Sequence, residues 1–293
     1  MEKEITPINK LSWSDKLKSY TKHPGSFVLL LLVSISAVLT VTVLIYLVGY
    51  ILIHGVPYLK PDLFSFTYNS DNVSMMPAII NTVTMVLLAL LFSVPFGIGA
   101  AIYLVEYAKK GNKLVELVRV TAETLTGIPS IVYGLFGMLF FVRALGWDYS
   151  MLAGAATLAI MVLPVIMRTT EEAFLCVPDS FREGSFGLGA GKLRTIFKIV
   201  LPSAIPGILS GVILAIGRIV GETAALIYTA GTVAQVAGIM NSGRTLAIHM
   251  YSLSREGLHT NEAYATAVVL LVVVLLINGL SSLIARKLES ARE

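Results

Sequence analysis

The placement of charge along this chain limits its fold more than any other feature. Five runs contain no Asp, Glu, Lys or Arg: Phe27 to Ile53, Pro77 to Val105, Thr124 to Val142, Tyr149 to Met167 and Ala263 to Ala285. A sixth, Ile199 to Gly243, is interrupted only by Arg218 and Glu222. About 20 apolar residues in a helix cross a hydrocarbon layer roughly 30 Å thick, so each run is long enough to span. Of the 293 residues, 56% are hydrophobic and 14% charged, and the mean hydropathy is +0.80, more apolar surface than a water-soluble fold can bury. The reading is an all-α integral membrane protein of six transmembrane helices, placed at about 27–53, 77–107, 120–142, 149–170, 203–229 and 263–285. A polar segment 1–26 precedes them, residues 171–202 form the longest connection, and 286–293 form a tail. The first run is far longer than the core of a signal peptide and is read as a retained span.

Lys and Arg are distributed unevenly about these spans. Seventeen of the 22 fall before the first span, in 109–119, in 168–198 and after Ala285, whereas the alternate segments hold Lys60, Arg143, Arg244 and Arg255. The excess of positive charge on cytoplasmic loops then predicts that both termini face the cytoplasm. The net charge of +4 and the pI near 9.1 reflect this asymmetry, so no nucleic-acid partner is expected. A single Cys176 excludes an internal disulfide, and His23, His54, His249 and His259 lack metal-ligand spacing, so neither a metal site nor a catalytic residue is expected.

The loop 171–202 is mixed in character and dotted with Gly. In it Glu183-Gly184-Ser185 is followed by Gly189 and then by Ile199, Leu201 and Pro202. The pattern reads as a short amphipathic helix with a glycine break, lying on the membrane surface before the next span. An interfacial helix resting on lipid is the simpler alternative. The nearby Gly187-Leu188-Gly189-Ala190-Gly191-Lys192 is no phosphate-binding loop, because Phe186 stands where the first Gly belongs and Leu193 where Ser or Thr belongs.

Arg218 and Glu222 are costly in a bilayer and face a cavity or a partner. Four residues apart on one helix, they are close enough to pair, either as a structural ion pair or as part of an anion path. Gly207 with Gly211, and Gly217 with Gly221, make small-xxx-small steps that read as helix packing. Pro95 predicts a bend in the second span. Glu106, Glu116 and Glu123 flank the basic loop 109–119 and read as a solvated loop with weak salt bridges. The stretch from Thr229 to Gly243 stays open between a helix end and a partly buried loop.

Glu183 to Pro202 resembles the EAA motif of ABC importer permeases, with Gly184-Ser185 in place of two alanines. Gly217 to Ala224 is similar to the Arg-x-x-Gly-Glu-Thr-Ala stretch of the phosphate permeases, and Gly127-Ile128-Pro129-Ser130-Ile131-Val132-Tyr133-Gly134-Leu135 to their Gly-Ile-Pro-Ser-x-Val-Tyr-Gly-Leu segment. The resemblance implies the type I ABC importer permease (MetI-like) fold in a bacterial or archaeal inner membrane. It further implies an inorganic phosphate importer assembled from a homologous permease subunit (PstC-like), an ATPase dimer (PstB-like) that holds the ATP and Mg, and an external phosphate-binding protein (PstS-like). Glu183, Gly184, Ser185, Leu188, Gly189 and Ala190 are then expected at the ATPase. Arg218, Glu222 and Thr223 are expected at the translocation path or its gate, and Gly127, Pro129, Ser130 and Tyr133 in a Pro-broken helix lining it. Ala230 to Glu262 is expected to receive the binding protein. An importer of the same plan for another oxyanion or polar solute, or an ion-driven secondary carrier, are the alternatives; the latter predicts inverted repeats that the sequence lacks.

Overall fold

The computed structural model of the protein describes residues 24–109 and 111–290. The expected segment 1–26 lies outside the described residues up to residue 23, and the expected tail 286–293 lies outside them from residue 291. Helix α1 runs over Pro24–Gly55, α2 over Met76–Ile102, α3 over Lys113–Thr126, α4 over Ser130–Gly137 and α5 over Met151–Leu175. Then come α6 (Asp179–Gly187), α7 (Lys192–Thr195), α8 (Leu201–Gly221), α9 (Ala224–Ile227), α10 (Leu246–Glu256) and α11 (Thr260–Ser290). Wide π turns extend α2 through Tyr103–Tyr107 and α4 through Met138–Ala144, and join α7 to α8 through Ile196–Val200.

Among the described residues five helices are long and apolar enough to cross a membrane, and the bent pair α3–α4 makes a sixth. The stretch expected as one span at 120–142 is therefore two helices, inclined at 103°. Pro129 causes the break: it has no N–H for the helix ladder and disfavours helical geometry in Ile128. The Tyr133 hydroxyl donates to the Leu125 carbonyl at 2.8 Å, satisfying an acceptor at the broken end. Asn112 starts α3 by accepting from the Leu114 N–H at 3.0 Å.

The described chain divides into two compact units, one ending at Ile53 and one beginning at His54. In the first, the α1 side chains Val33, Leu39 and Ile45 are exposed, as befits a helix solvated by lipid. The second is centred on α2, α5 and α8, whose buried Met85, Ala89, Leu158, Met161, Ile166 and Ile219 form one core. Inside a bilayer apolar burial does not drive helices together, so close packing and polar contacts must. Small residues supply the closeness: a methyl at Gly97 would meet Ile166 at 2.9 Å, and methyls at Gly207 and Gly211 would run into Ala173 and Thr169 of α5. Gly207 and Gly211 are thus a packing face. A methyl at Gly217 or Gly221 would meet nothing within 4 Å among the described residues, which leave that face uncovered.

Thr229 to Gly243 proves to be a held loop. Asn81 of α2 donates to the carbonyls of Gln235 (2.8 Å) and Arg244 (3.1 Å) and accepts from the Ala237 N–H (3.0 Å). Thr82 accepts from the Leu246 N–H at 2.9 Å, fixing the start of α10.

Candidate functional sites: a central contact and a coupling joint

The helix carrying Arg218 ends sooner than the 203–229 span expected of it. Gly221 closes α8, and Glu222 turns extended with φ −72° and ψ 127°. The four-residue helical spacing that should have paired Arg218 with Glu222 is lost at this break, and no ion pair joins them among the described residues. Glu222, 8% exposed, instead accepts from the Ala225 N–H at 3.0 Å and anchors the first turn of α9. Arg218 is half-buried and lies close enough to Tyr133 to act electrostatically on its hydroxyl. Thr223 is half-buried; its hydroxyl donates to the Gly221 carbonyl at 3.4 Å, and its carbonyl accepts from the Ile227 N–H at 3.1 Å.

The segments around Pro129 and Glu222, separated in sequence, touch through a glycine. A methyl on Gly134 of α4 would lie 2.7 Å from the Ala225 Cα of α9, so the two backbones approach as only Gly permits. Tyr133 is buried at this contact, while Gly127 and Ser130 sit at the break between α3 and α4. The structure therefore brings together a cation, a buried carboxylate held by backbone, a tyrosine and a broken helix.

At the other end of the unit, α6 and α7 form a helical hairpin closed by Gly189 at φ +83°, a left-handed conformation that side chains with a Cβ resist. The Ala190 N–H donates to the Ser185 carbonyl at 3.1 Å, and the Ser185 and Thr195 hydroxyls bond at 2.8 Å in the buried seam. Leu188 projects from the turn with 92% of its surface exposed, and Glu183 and Gly184 are exposed beside it. Phe181, Gly184, Leu188, Gly189 and Ala190 line an open hollow of about 570 Å³, with Arg194 and Lys198 also in its wall. The turn presents an apolar knob and a basic flank at the surface.

Sequence reasoning missed what holds this hairpin. Glu106, expected in a solvated loop, has a side chain only 8% exposed and pairs with Arg182 at 2.9 Å. Arg182 also bonds the carbonyls of Phe174 (2.9 Å) and Val177 (2.8 Å) and the Asp179 carboxylate (3.1 Å). One guanidinium thus ties the end of α2, the end of α5 and the start of α6 together. Lys192 adds a contact over the Tyr107 ring, 4.7 Å from its centroid. The nearest signal was Arg182 standing directly before Glu183; its partner, 76 residues upstream, was not legible. Glu123 is exposed and near Arg168, and Arg119 pairs with Glu171 at 2.5 Å.

The chain belongs to the family of binding-protein-dependent transport system inner membrane components, whose model matches residues 93–292. It is 33% identical over 282 residues to the "Probable ABC transporter permease protein YqgI" of Bacillus subtilis, covering 87% of this chain and 94% of that one. It is 30% identical to the phosphate transport system permease protein PstA of Haemophilus influenzae over 274 residues, 90% of this chain and 95% of that one. In fold it is similar to a chain of a bacterial alginate ABC transporter, with TM-score 0.68 and 16% identity over 92% of this chain and 97% of that one. The methionine transporter MetNI also matches, with TM-score 0.57, 21% identity, and coverage of 73% and 94%.

Proposed function

We propose that this chain and a homologous permease subunit form the path by which inorganic phosphate is imported, powered by ATP hydrolysed on an ATPase dimer. The observation that carries the reading is Arg218, a half-buried membrane cation that forms no ion pair among the described residues, beside the contact of α4 with α9. A guanidinium left free can fork hydrogen bonds onto a passing oxyanion and compensate its charge. The PstA relatives favour phosphate as that anion. The uncovered face of Gly217 and Gly221 suits close approach by the homologous permease.

In this reading the α6–α7 hairpin seats Leu188, Gly189 and Ala190 in the ATPase, with both termini on the same cytoplasmic side. Closure of the ATPase dimer moves the hairpin, and Arg182 passes that movement to Glu106 and α2. The spans then open toward the opposite face, where residues 230–262 receive a loaded phosphate-binding protein. This chain contributes no catalytic group to hydrolysis; nucleotide and Mg belong to the ATPase.

The test is phosphate uptake and ATP hydrolysis by the reconstituted complex. Arg218→Gln should cut uptake by about tenfold or more while the complex still assembles, a loss of roughly 1.5 kcal/mol or more of charge-assisted bonding. Unchanged uptake in this variant would remove Arg218 from the path. A wild-type complex that imports sulfate and not phosphate would overturn the cargo.

A further inference from the structure

The unit carries another buried cation that forms no ion pair among the described residues, Arg244. Five of the eight buried side-chain polar atoms left without a partner among the described residues belong to Arg244, Thr245 and His249. They are Nε and Nη2 of Arg244, Oγ1 of Thr245 and both ring nitrogens of His249. Arg244 is 5% exposed and His249 fully buried. The guanidinium lies over the Tyr68 ring, 4.5 Å from its centroid, and His249 meets that ring edge-on at 6.3 Å.

Loose packing does not explain these orphans. The Arg244 N–H donates to the Val233 carbonyl at 3.0 Å, its carbonyl accepts from Asn81, and the His249 N–H donates to the Thr245 carbonyl at 2.8 Å. Apolar Leu63, Val73, Met75 and Leu246 pack close by in one cluster. The backbone is fixed and apolar side chains pack nearby, so a buried guanidinium without an ion pair is costly there. No acid forms an ion pair with Arg244 among the described residues. Burial and the adjacent Arg244 hold the His249 imidazole neutral, lowering its pKa to about 3, with a partial offset from the Val73 backbone.

The place is also defined. Asn81 and Thr82, near the start of α2, hold the Arg244 loop, and Glu106, in the π turn at its other end, holds the α6 hairpin. Twenty-four residues of helix separate Thr82 from Glu106, roughly 36 Å at 1.5 Å per residue, about a membrane thickness. Arg244 is therefore on the face opposite the coupling hairpin.

We propose that Arg244, Thr245 and His249 form a binding site for a protonated tetrahedral oxyanion on the face that receives cargo. Arg244 supplies the charge and two N–H donors, Thr245 a hydroxyl, and neutral His249 an acceptor nitrogen, its N–H lying toward the Val73 carbonyl. That acceptor selects the class: hydrogen phosphate carries an O–H to donate to it, and sulfate at neutral pH does not. The identity of the ion as cargo rests on the phosphate import proposed above; the charge and donor arrangement do not.

The experiment is equilibrium binding of radiolabelled inorganic phosphate to the nucleotide-free permease–ATPase complex in lipid nanodiscs, without the external binding protein. Unfolding temperature is followed in phosphate and in chloride at equal ionic strength. The expected result is one saturable site, weakened at least about tenfold in Arg244→Gln and poorly competed by sulfate. Phosphate should raise the unfolding temperature of the wild type and not of Arg244→Gln. Equal binding by the wild type and Arg244→Gln, or no binding and no phosphate-dependent stabilisation in the wild type, overturns the site and leaves ordered water there. If wild-type phosphate binding is absent while Arg244→Gln lowers affinity for the loaded binding protein, the anion is that protein's carboxylate and the inorganic site is wrong. A complex that binds no phosphate here yet imports it refutes this site alone; one that imports none refutes the transport reading.

Discussion

Glu106 and Arg182 show how a single buried pair fixes a surface hairpin. Removing one partner of a buried ion pair costs about 3–5 kcal/mol, because the other charge stays behind in a poor solvent. Arg182 has further acceptors at Phe174, Val177 and Asp179, so loss of Glu106 frees the link to α2 without releasing Arg182 from α5 and α6. Glu106→Gln is therefore expected to keep ATP hydrolysis and lower phosphate uptake by roughly tenfold or more, read as the ratio of uptake to hydrolysis in proteoliposomes. Equal losses of both would make the pair a purely structural one. His249 gives a pH dependence of defined sign. Its pKa falls from 6.5 to about 3 in the folded protein, so the unfolded chain binds more protons between those values. Stability is then complete above pH 6.5 and declines as pH falls toward 3, by at most roughly 1.4 kcal/mol per unit. Urea or thermal unfolding in phosphate-free buffer should show this slope for the wild type and lose it in His249→Gln.

At the scale of elements, the α6–α7 hairpin is built as a rigid tip. Gly189 reverses the chain at positive φ, Ser185 and Thr195 close the seam, and Leu188 is thrown outward. Gly189→Val should cost about 1–2 kcal/mol of local strain and misplace Leu188, because a branched residue resists the left-handed conformation. The measurable outcome is loss of the ATPase on co-purification from a permease that still inserts and melts near the wild-type temperature. Retained ATPase would mean that the tip adapts. The same positional logic explains the third span. A run of apolar residues from Thr124 to Val142 was legible as membrane material, and Pro129 as a break. Its 103° angle was not, and α3 meets α5 through Arg119 and Glu171, which stand 52 residues apart in sequence.

For the whole molecule, the α6–α7 hairpin and the Arg244 loop lie at opposite ends of α2, and this polarity can be tested directly. In a Cys176→Ser background, Leu188→Cys should react with a membrane-impermeant maleimide only from the cytoplasmic side. Leu258→Cys, 83% exposed just beyond α10, should react only from the other side. Reaction of both from one side would reverse the assignment of faces to the two ends of the unit. The sequence by itself determined the membrane class, the apolar runs, the glycine break of the surface loop and the residue types around Gly127 and Arg218. Those depend on local composition and on steric demands within a few residues. Only the tertiary structure decided that Arg218 and Glu222 part company, that Glu106 is buried against Arg182, and that Arg244 and His249 lie unpaired together. Each of these depends on where a helix ends or on which distant backbone arrives beside a charge, and a helical repeat carries no record of either.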